Sequence, residues 1–340
     1  MLKCIELASK GIGNVAPNPM VGCVIVHNNQ IIGSGYHQKY GEAHAEVNAI
    51  NSVSDKSLLK DSTLYVNLEP CSHTGKTPPC ADLIIANKIP KVIIGQIDPN
   101  PEVSGKGIEK LKNAGIEVEV GVSQEDCKNL NKRFNTFHEK HRPYIILKWA
   151  QTIDGFIDKI RQEGDTNEIN WISTLQSRVL VHKWRTEEQS ILIGTNTALI
   201  DNPKLNARLF EGKNPLRIVL DKELSLPKNL NIFDNTIKTI VFTEKESVNE
   251  LNIEYETIKF DGNLITSILN NLYKRKIQSI IIEGGAFTLN SFIKNNIWDE
   301  ARVFEGNINF NNGIKAPIIN GNITSEFFID SDLLKIVNNL

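Results

Sequence analysis

The chain has 340 residues, 40% of them hydrophobic and 23% charged, with a formal net charge of -2. That length exceeds one ordinary hydrophobic core and predicts two domains. The near-neutral balance, without acidic or basic blocks, argues against a broad nucleic-acid surface or a polybasic membrane patch.

In chain order, residues 2–10 read as a short helix, and Glu6 and Lys10 interrupt what would have to be the apolar core of a signal peptide. No run approaches the roughly 20 apolar residues of a membrane span. The expectation is a cytoplasmic protein. Five cysteines, an odd and sparse set, do not make a disulfide framework. Val21–Val26 and Gln30–Ile32 flank His27-Asn28-Asn29 and read as a hairpin. A helix starts near His44 and runs through Ile50. Ser62–Leu68 is a strand, Ala81–Asn87 a helix and Lys91–Gly95 a strand. Gly107–Asn113 is a helix ending at Ala114-Gly115, and Ile116–Val120 a further strand. This alternation predicts a layered α/β domain. The polar segment 123–142 reads as helical, and Pro143 marks the boundary, giving domains of 1–143 and 144–340. Beyond it, strands are expected at Tyr144–Trp149, Ser190–Gly194, Leu216–Leu220, Thr239–Phe242 and Ser279–Glu283, with a helix at Thr174–Arg185. The asparagines at 307–312, 338 and 339 suggest loops.

The sharpest chemical signal is His44-Ala45-Glu46 followed by Pro70-Cys71 and Pro79-Cys80. One imidazole and two thiolates can hold Zn²⁺ in three tetrahedral positions, leaving the fourth for a water that the metal brings toward ionisation at neutral pH. Cys71 follows a predicted strand. Cys80 opens a predicted helix, where the N-terminus favours a thiolate. Glu46 is free to move protons. Two other readings stay open here: buried cysteines beside surface His44 and Glu46, or a closed structural zinc site with His73 as the fourth ligand. Ser279–Glu283, Gly284-Gly285 and the helical AFTLNSFI stretch form a strand, tight glycines and a helix start, which suit a cofactor phosphate or a plain turn. Arg185 and Arg208 could grip a substrate phosphate or be solvated surface groups. Asp201 could orient a sugar hydroxyl or start a turn. Gly11-Ile-Gly13-Asn-Val-Ala16 has dinucleotide-fold spacing but follows a helix rather than a strand, so it carries little weight.

The His-x-Glu, Pro-Cys and second Cys pattern resembles the zinc deaminases of cytidine and related bases. Eight residues separate the cysteines, in Glu69-Pro-Cys-Ser-His-Thr-Gly-Lys-Thr-Pro-Pro-Cys80. That segment resembles the riboflavin-biosynthesis deaminases, as do Pro17-Asn-Pro-Met-Val-Gly22, His44-Ala-Glu-Val-Asn-Ala49 and Asp98-Pro-Asn-Pro101. Thr152-Ile-Asp-Gly155, Asn170-Trp-Ile-Ser173, the run from Ile191 to Pro203 and Ile280-Ile-Ile-Glu-Gly-Gly285 resemble the reductase half of the bifunctional family. The resemblance implies an N-terminal cytidine-deaminase-like α/β/α domain and a C-terminal dihydrofolate-reductase-like α/β domain. It implies hydrolytic deamination of 2,5-diamino-6-(5-phosphoribosylamino)pyrimidin-4-one, then reduction of the ribosyl group to ribityl by NADPH. Glu46 would shuttle protons, and His44, Cys71 and Cys80 would hold Zn²⁺. Asn18, His37, His73 and Lys76 match deaminase pocket positions. Arg185, Asp201, Leu205, Arg208 and Glu283 match reductase substrate positions. Lys148, Asp154, Trp171 and Thr197 match cofactor positions beside Gly284 and Gly285, although Trp171 could equally be core. Ile169 replaces a small hydroxyl residue of the family, Asp158 replaces a small residue, and the segment 309–317 has lost part of a Gly-Gly loop. Two other functions stay open: a deaminase with a silent reductase domain, or a non-catalytic zinc-stabilised module. The expected partner is a small-molecule substrate, with no nucleic acid or membrane, in a homo-oligomer.

Overall fold

The computed structural model describes residues 1–72, 78–161 and 169–340. The expected pocket residues His73 and Lys76 lie outside them. The chain divides into two compact units, Met1–His141 and Arg142–Leu340.

The first unit runs α1 (Leu2–Ser9), β1 (Gly22–His27), β2 (Gln30–Tyr36), α2 (Ala45–Ser52), β3 (Thr63–Leu68), α3 (Cys80–Ala86), β4 (Lys91–Gln96), α4 (Lys106–Asn113), β5 (Glu117–Val120), α5 (Gln124–Leu130) and α6 (Lys132–Lys140). The sheet order is β2-β1-β3-β4-β5. The hairpin between β1 and β2 turns at Asn28 and Asn29, both at positive φ, a conformation asparagine tolerates better than other side chains. β1 and β3 are antiparallel, whereas β3, β4 and β5 are parallel. The parallel pairing matters most for function, because it brings the chain leaving β3 (towards Cys71) beside the chain leaving β4 (towards Asp98). Cys23, Ile25, Leu64, Val66, Val92 and Ile94 from the central strands form the core with Ala45, Ala49, Ala81 and Ile84 from α2 and α3.

The second unit runs β6 (Tyr144–Thr152), β7 (Phe156–Asp158), α7 (Leu175–Glu187), β8 (Ser190–Ile193), α8 (Thr195–Asp201), β9 (Leu216–Leu220), β10 (Thr239–Thr243), β11 (Ile253–Thr257), α9 (Leu264–Lys274), β12 (Ser279–Ile282), α10 (Ala286–Lys294), β13 (Glu300–Gly306), β14 (Ile314–Lys315), β15 (Asn322–Ile329) and β16 (Asp332–Asn338). Its main sheet has the order β11-β10-β9-β8-β12-β6-β13-β16-β15. The strands from β11 to β13 are parallel, and β16 and β15 close the far side antiparallel. Alternate residues feed two cores: Leu192, Ile280 and Ile282 pack on one face with Phe292, while Ile191, Ile193 and Ile281 pack on the other with Trp184. A parallel sheet covered on both faces needs such unbroken apolar strands.

The structure differs from expectation in three places. Segment 123–142 is two helices, because Asn131 leaves helical geometry between α5 and α6. The expected C-terminal loops hold for 307–312, but Asn338 ends a strand. The elements β7, α8, β11, α9, β13, β14, β15 and β16 are not among the expected ones. Among the described residues no helix is long and apolar enough to cross a membrane.

Candidate functional site

In the first unit, His44 caps α2 with an extended backbone (φ −72°, ψ 164°), and Glu46 lies in the first turn. Cys71 follows β3, and Cys80 is the first residue of α3. These turns converge. The ligand atoms of His44, Cys71 and Cys80 all lie within 4.8 Å of one another. His44 Nδ1 is 3.7 Å from Cys71 Sγ and 3.4 Å from Cys80 Sγ. The Cys80 backbone N–H donates to Cys71 Sγ at 3.3 Å.

The electrostatics favour a dication. The Cys80 thiol, together with His44 and the Cys80 N–H, pulls the Cys71 thiol down to about 4 against its burial. The Cys71 sulfur beside it and burial push Cys80 up. Two adjacent sulfurs resist ionising together unless a cation sits between them. This donor set, soft sulfur with one imidazole, fits zinc.

Glu46 is buried. Burial, then the Cys71 sulfur, raises its carboxyl to about 7, and it reaches the Cys80 thiol. A carboxyl poised near neutrality beside a metal-type cluster can both take and give a proton.

His37, just beyond β2, sits edge-on to His44 with ring centroids 5.5 Å apart. Its Nδ1 meets the Ala43 carbonyl at 3.0 Å, so Nδ1 carries the proton. Nε2 therefore accepts from Asn18 Nδ2 at 3.1 Å. Burial lowers its pKa, which favours the neutral ring. The segment that follows Asn18 is held from behind. The Asn131 amide bonds both the N–H and the C=O of Met20 (2.8 and 2.9 Å), and the Asn67 amide bonds Met20 C=O and Gly22 N–H (3.0 and 2.7 Å).

Glu69, two residues before Cys71, accepts hydrogen bonds from the N–H groups of Asp98, Gly105, Gly107 and Ile108 at 2.9–3.3 Å. It fastens the loop after β4 against the cysteine turn. At Gly107 a Cβ would lie 2.0 Å from the Pro70 carbonyl, so only glycine allows this approach. Asp98 is buried on that loop, and burial raises its carboxyl to about 6.

In the second unit, Glu283, just past β12, is the hub. Its carboxylate takes Arg185 from α7 at 2.7 and 3.3 Å and lies 4.0 Å from Lys148 Nζ on β6. Burial would raise Glu283, but Arg185 and Lys148 overcome it and hold the carboxyl at about 2. Burial lowers the pKa of Lys148. Arg208 donates to Asn206 Oδ1, and Arg178 donates to Thr174 C=O. The Arg178 guanidinium also lies over the Trp171 ring, 4.2 Å from its centroid. Burial and then the neighbouring Arg185 and Arg178 lower the Arg208 pKa, so three cations crowd one place. His182 lies among them, held down to about 4 by burial and then by Arg185 and Arg208. Thr197 Oγ1 accepts the Gly285 N–H at 2.8 Å. A Cβ on Gly284 would lie 2.7 Å from Gly194 N, so the turns after β12 and β8 touch.

The expected residues distribute as follows. Lys148, Arg185, Arg208 and Glu283 come together, and Thr197 meets Gly285. Trp171 is 51% exposed and is not core packing. Leu205 is buried in the core at positive φ. Asp154 accepts from Thr152 Oγ1 and from the N–H groups of Phe310 and Asn311, tying down the altered 309–317 segment. Asp201 ends α8, its carboxyl raised by burial and then by Asp158. Asp158 accepts from Asn170 Nδ2, beside Ile169 and Trp171. Sequence reasoning missed the structural parts of Glu69, Asn67 and Asn131, and the presence of Arg178 and His182 in the cation cluster. Glu69 alone had a signal, its place in the cysteine motif.

Comparisons with known proteins match both units of the chain. Residues 1–96 match the cytidine and deoxycytidylate deaminase zinc-binding region, and residues 143–308 match the RibD C-terminal domain. The riboflavin biosynthesis protein RibD of Aquifex aeolicus is 42% identical over 309 residues, covering 89% of this chain and 85% of that protein. RibD of Escherichia coli is 34% identical over 321 residues, covering 89% and 86%. The Thermotoga maritima diaminohydroxyphosphoribosylaminopyrimidine deaminase/5-amino-6-(5-phosphoribosylamino)uracil reductase superposes with a TM-score of 0.90 at 39% identity, covering 100% of this chain and 97% of that one. Acinetobacter baumannii RibD superposes with a TM-score of 0.90 at 30% identity and the same coverage.

Proposed function

The chain belongs to the RibD family of bifunctional riboflavin-biosynthesis deaminase/reductases, and on that premise we propose the residues that carry each reaction. Residues 1–143 act as the deaminase and 144–340 as the reductase. The observation that carries the deaminase assignment is the His44, Cys71, Cys80 cluster with a buried carboxyl of raised pKa beside it.

His44, Cys71 and Cys80 would hold a zinc ion, which would supply the Lewis acidity that brings a water toward ionisation at neutral pH. Glu46 Oε takes one proton from the attacking water and gives it to a ring nitrogen, then takes the second from the resulting hydroxyl and gives it to the departing 2-amino group, so water enters, a carbonyl forms and ammonia leaves. Asn18 and neutral His37, locked in one tautomer, present fixed polar groups to the diaminopyrimidine. His73 and Lys76 are proposed from the motif to complete the pocket.

NADPH, when bound, would supply the hydride for C1 of the ribosyl group. Opening that sugar to ribityl breaks the C1–O bond and requires one proton at the freed oxygen. Lys148, whose charge is disfavoured by burial, is the donor, and Glu283 holds it and Arg185 in place. Arg185 and Arg208 bind the substrate phosphate, with Asp201 and Leu205 shaping the sugar site. Lys148, Asp154, Trp171, Thr197, Gly284 and Gly285 flank the cofactor. The first test is a product assay by liquid chromatography and mass spectrometry on the zinc-loaded chain. The deaminated ribosyl product is expected without NADPH and the ribityl product with it. Deaminated product in both cases would mean the second unit is silent. No turnover with zinc bound would remove the residue assignment and bring forward a structural zinc site.

We further propose a cytoplasmic homo-oligomer. Its support is β15, an edge strand whose Ile323, Phe327 and Phe328 are exposed, with few of the charges or prolines that usually protect an edge. Phe328→Glu is expected to lower the mass measured by light scattering after gel filtration. An unchanged mass would remove β15 from the interface.

A further inference from the structure

Which groups would distinguish NADPH from NADH is settled by neither motif nor composition, but the sheet order narrows the choice. In an open parallel sheet, ligands lie at the carboxyl ends of the strands. The glycine turns after β12 and β8 touch at that edge, at Gly284 and Gly194, and admit no side chain between them. From there the neighbouring strands are β9 and then β10. Strand spacing puts the end of β9 about 10 Å from the β12 turn and that of β10 about 14 Å away. Such a span suits an extended dinucleotide running from its reactive ring to its adenosine ribose. In the other direction the chain after β6, placed above against the cofactor, is tied to the segment 308–316. Asp154 binds the N–H groups of Phe310 and Asn311, Ile153 N–H bonds Ile308 C=O, and Ala316 N–H bonds Gly155 C=O.

At the open edge, Lys222, Lys245 and Lys259 each stand two residues past the ends of β9, β10 and β11. The turn bearing Lys222 is firmly built. The Asp221 carboxylate accepts from Ser225 N–H, Ser225 Oγ and Leu226 N–H at 2.9–3.1 Å, and the Lys222 carbonyl accepts from Thr243 Oγ1 and Glu244 N–H, both at 2.9 Å. The Thr195 hydroxyl, at the start of α8, donates to the Leu220 carbonyl at 2.5 Å and ties this turn to the β8 turn. The lysine heads are about half exposed. Lys245 Nζ is 2.8 Å from Glu223, and Lys222 Nζ is 3.5 Å from Glu244 and 4.0 Å from Glu223. Exposed pairs of this kind contribute little, so their cations are available to a stronger anion. A phosphate dianion is such an anion. Lys238 and Arg275, by contrast, belong to the amino end of the sheet, and Glu254 and Glu256 occupy them.

We propose that Lys222 and Lys245, at the carboxyl ends of β9 and β10, receive the 2′-phosphate of NADPH and give the reductase unit its preference over NADH. This rests on the reductase reading above. The test is isothermal titration of NADPH and of NADH into the full chain and its variants. Wild type is expected to bind NADPH more tightly. K222A/K245A should weaken NADPH binding by roughly tenfold or more, the loss of one or two charge-assisted contacts, and leave NADH within about twofold. K238A, at the opposite edge, should change neither. If NADPH binding survives in the double variant, or falls no more than NADH binding does, the lysine assignment is overturned while the reductase reading stands. If wild type binds neither dinucleotide, both are overturned.

Discussion

Replacing Glu46 with Gln will reduce ammonia release from the diaminopyrimidine by a factor on the order of 10² to 10⁴, the usual worth of a positioned general acid–base group. Zinc content by atomic absorption should not change, because the ligands are His44, Cys71 and Cys80. Stability should move the other way from activity. The folded carboxyl is raised from 4.5 to about 7 by burial. Ionising it therefore opposes folding, and the metal-free protein loses stability as pH rises from about 4.5 through about 7. Gln cannot ionise. At pH 8 metal-free E46Q should be more stable than metal-free wild type by about 3 kcal/mol, and below pH 4 the two should melt alike. Such a gain on removing a catalytic group is the expected trade between activity and stability. Undiminished deamination by E46Q would take the proton transfer away from Glu46.

Glu283→Gln should do the reverse, lowering both stability and reduction. Arg185 and Lys148 would remain buried beside a neutral amide. Breaking one partner out of a buried ion cluster costs about 3–5 kcal/mol. The sign with pH follows from Glu283 being held at about 2 against an ordinary 4.5. Its contribution is present above about pH 4.5 and is lost as pH falls through about 2. Urea titrations of wild type and E283Q should therefore differ at pH 7 and converge toward pH 2. At pH 7, with the deaminated ribosyl substrate supplied directly, E283Q should consume little NADPH. Ammonia release should persist, since Glu46 and the zinc ligands belong to the other compact unit. Equal stability at both pH values would mean that solvent, not Glu283, compensates Arg185 and Lys148.

The deaminase centre was the more legible of the two because its chemistry needs rare residues at short spacing. His44, Glu46, Cys71 and Cys80 span 37 positions, and each stands at the end of an element that the local pattern already marked. The reductase centre brings Arg185 and Glu283 together across 98 positions, through the adjacency of β8 and β12. No local pattern encodes that adjacency. Arg178 and His182 were overlooked for the same reason: on a helix they are ordinary residues, and only the fold shows which other cations they face. The strand β15 escaped because it is exposed along nearly its whole length, so it lacks the in–out alternation by which half-buried strands announce themselves. The break between α5 and α6 was hidden because Asn131 looks like any polar helix residue until its amide is seen on Met20.

The carboxylate of Glu69 matters to anyone wishing to transplant this chemistry. Moving the His-x-Glu pair and two cysteines onto a different scaffold would carry over the ligands but not the brace behind them. Four amide N–H groups between Asp98 and Ile108 answer to that one carboxylate, and a graft that omits it must find them other acceptors or leave them buried and unmet. The smallest portable unit is therefore the start of α2 with the strand pair β3 and β4 and the loops and helix starts that follow both, not the signature residues alone.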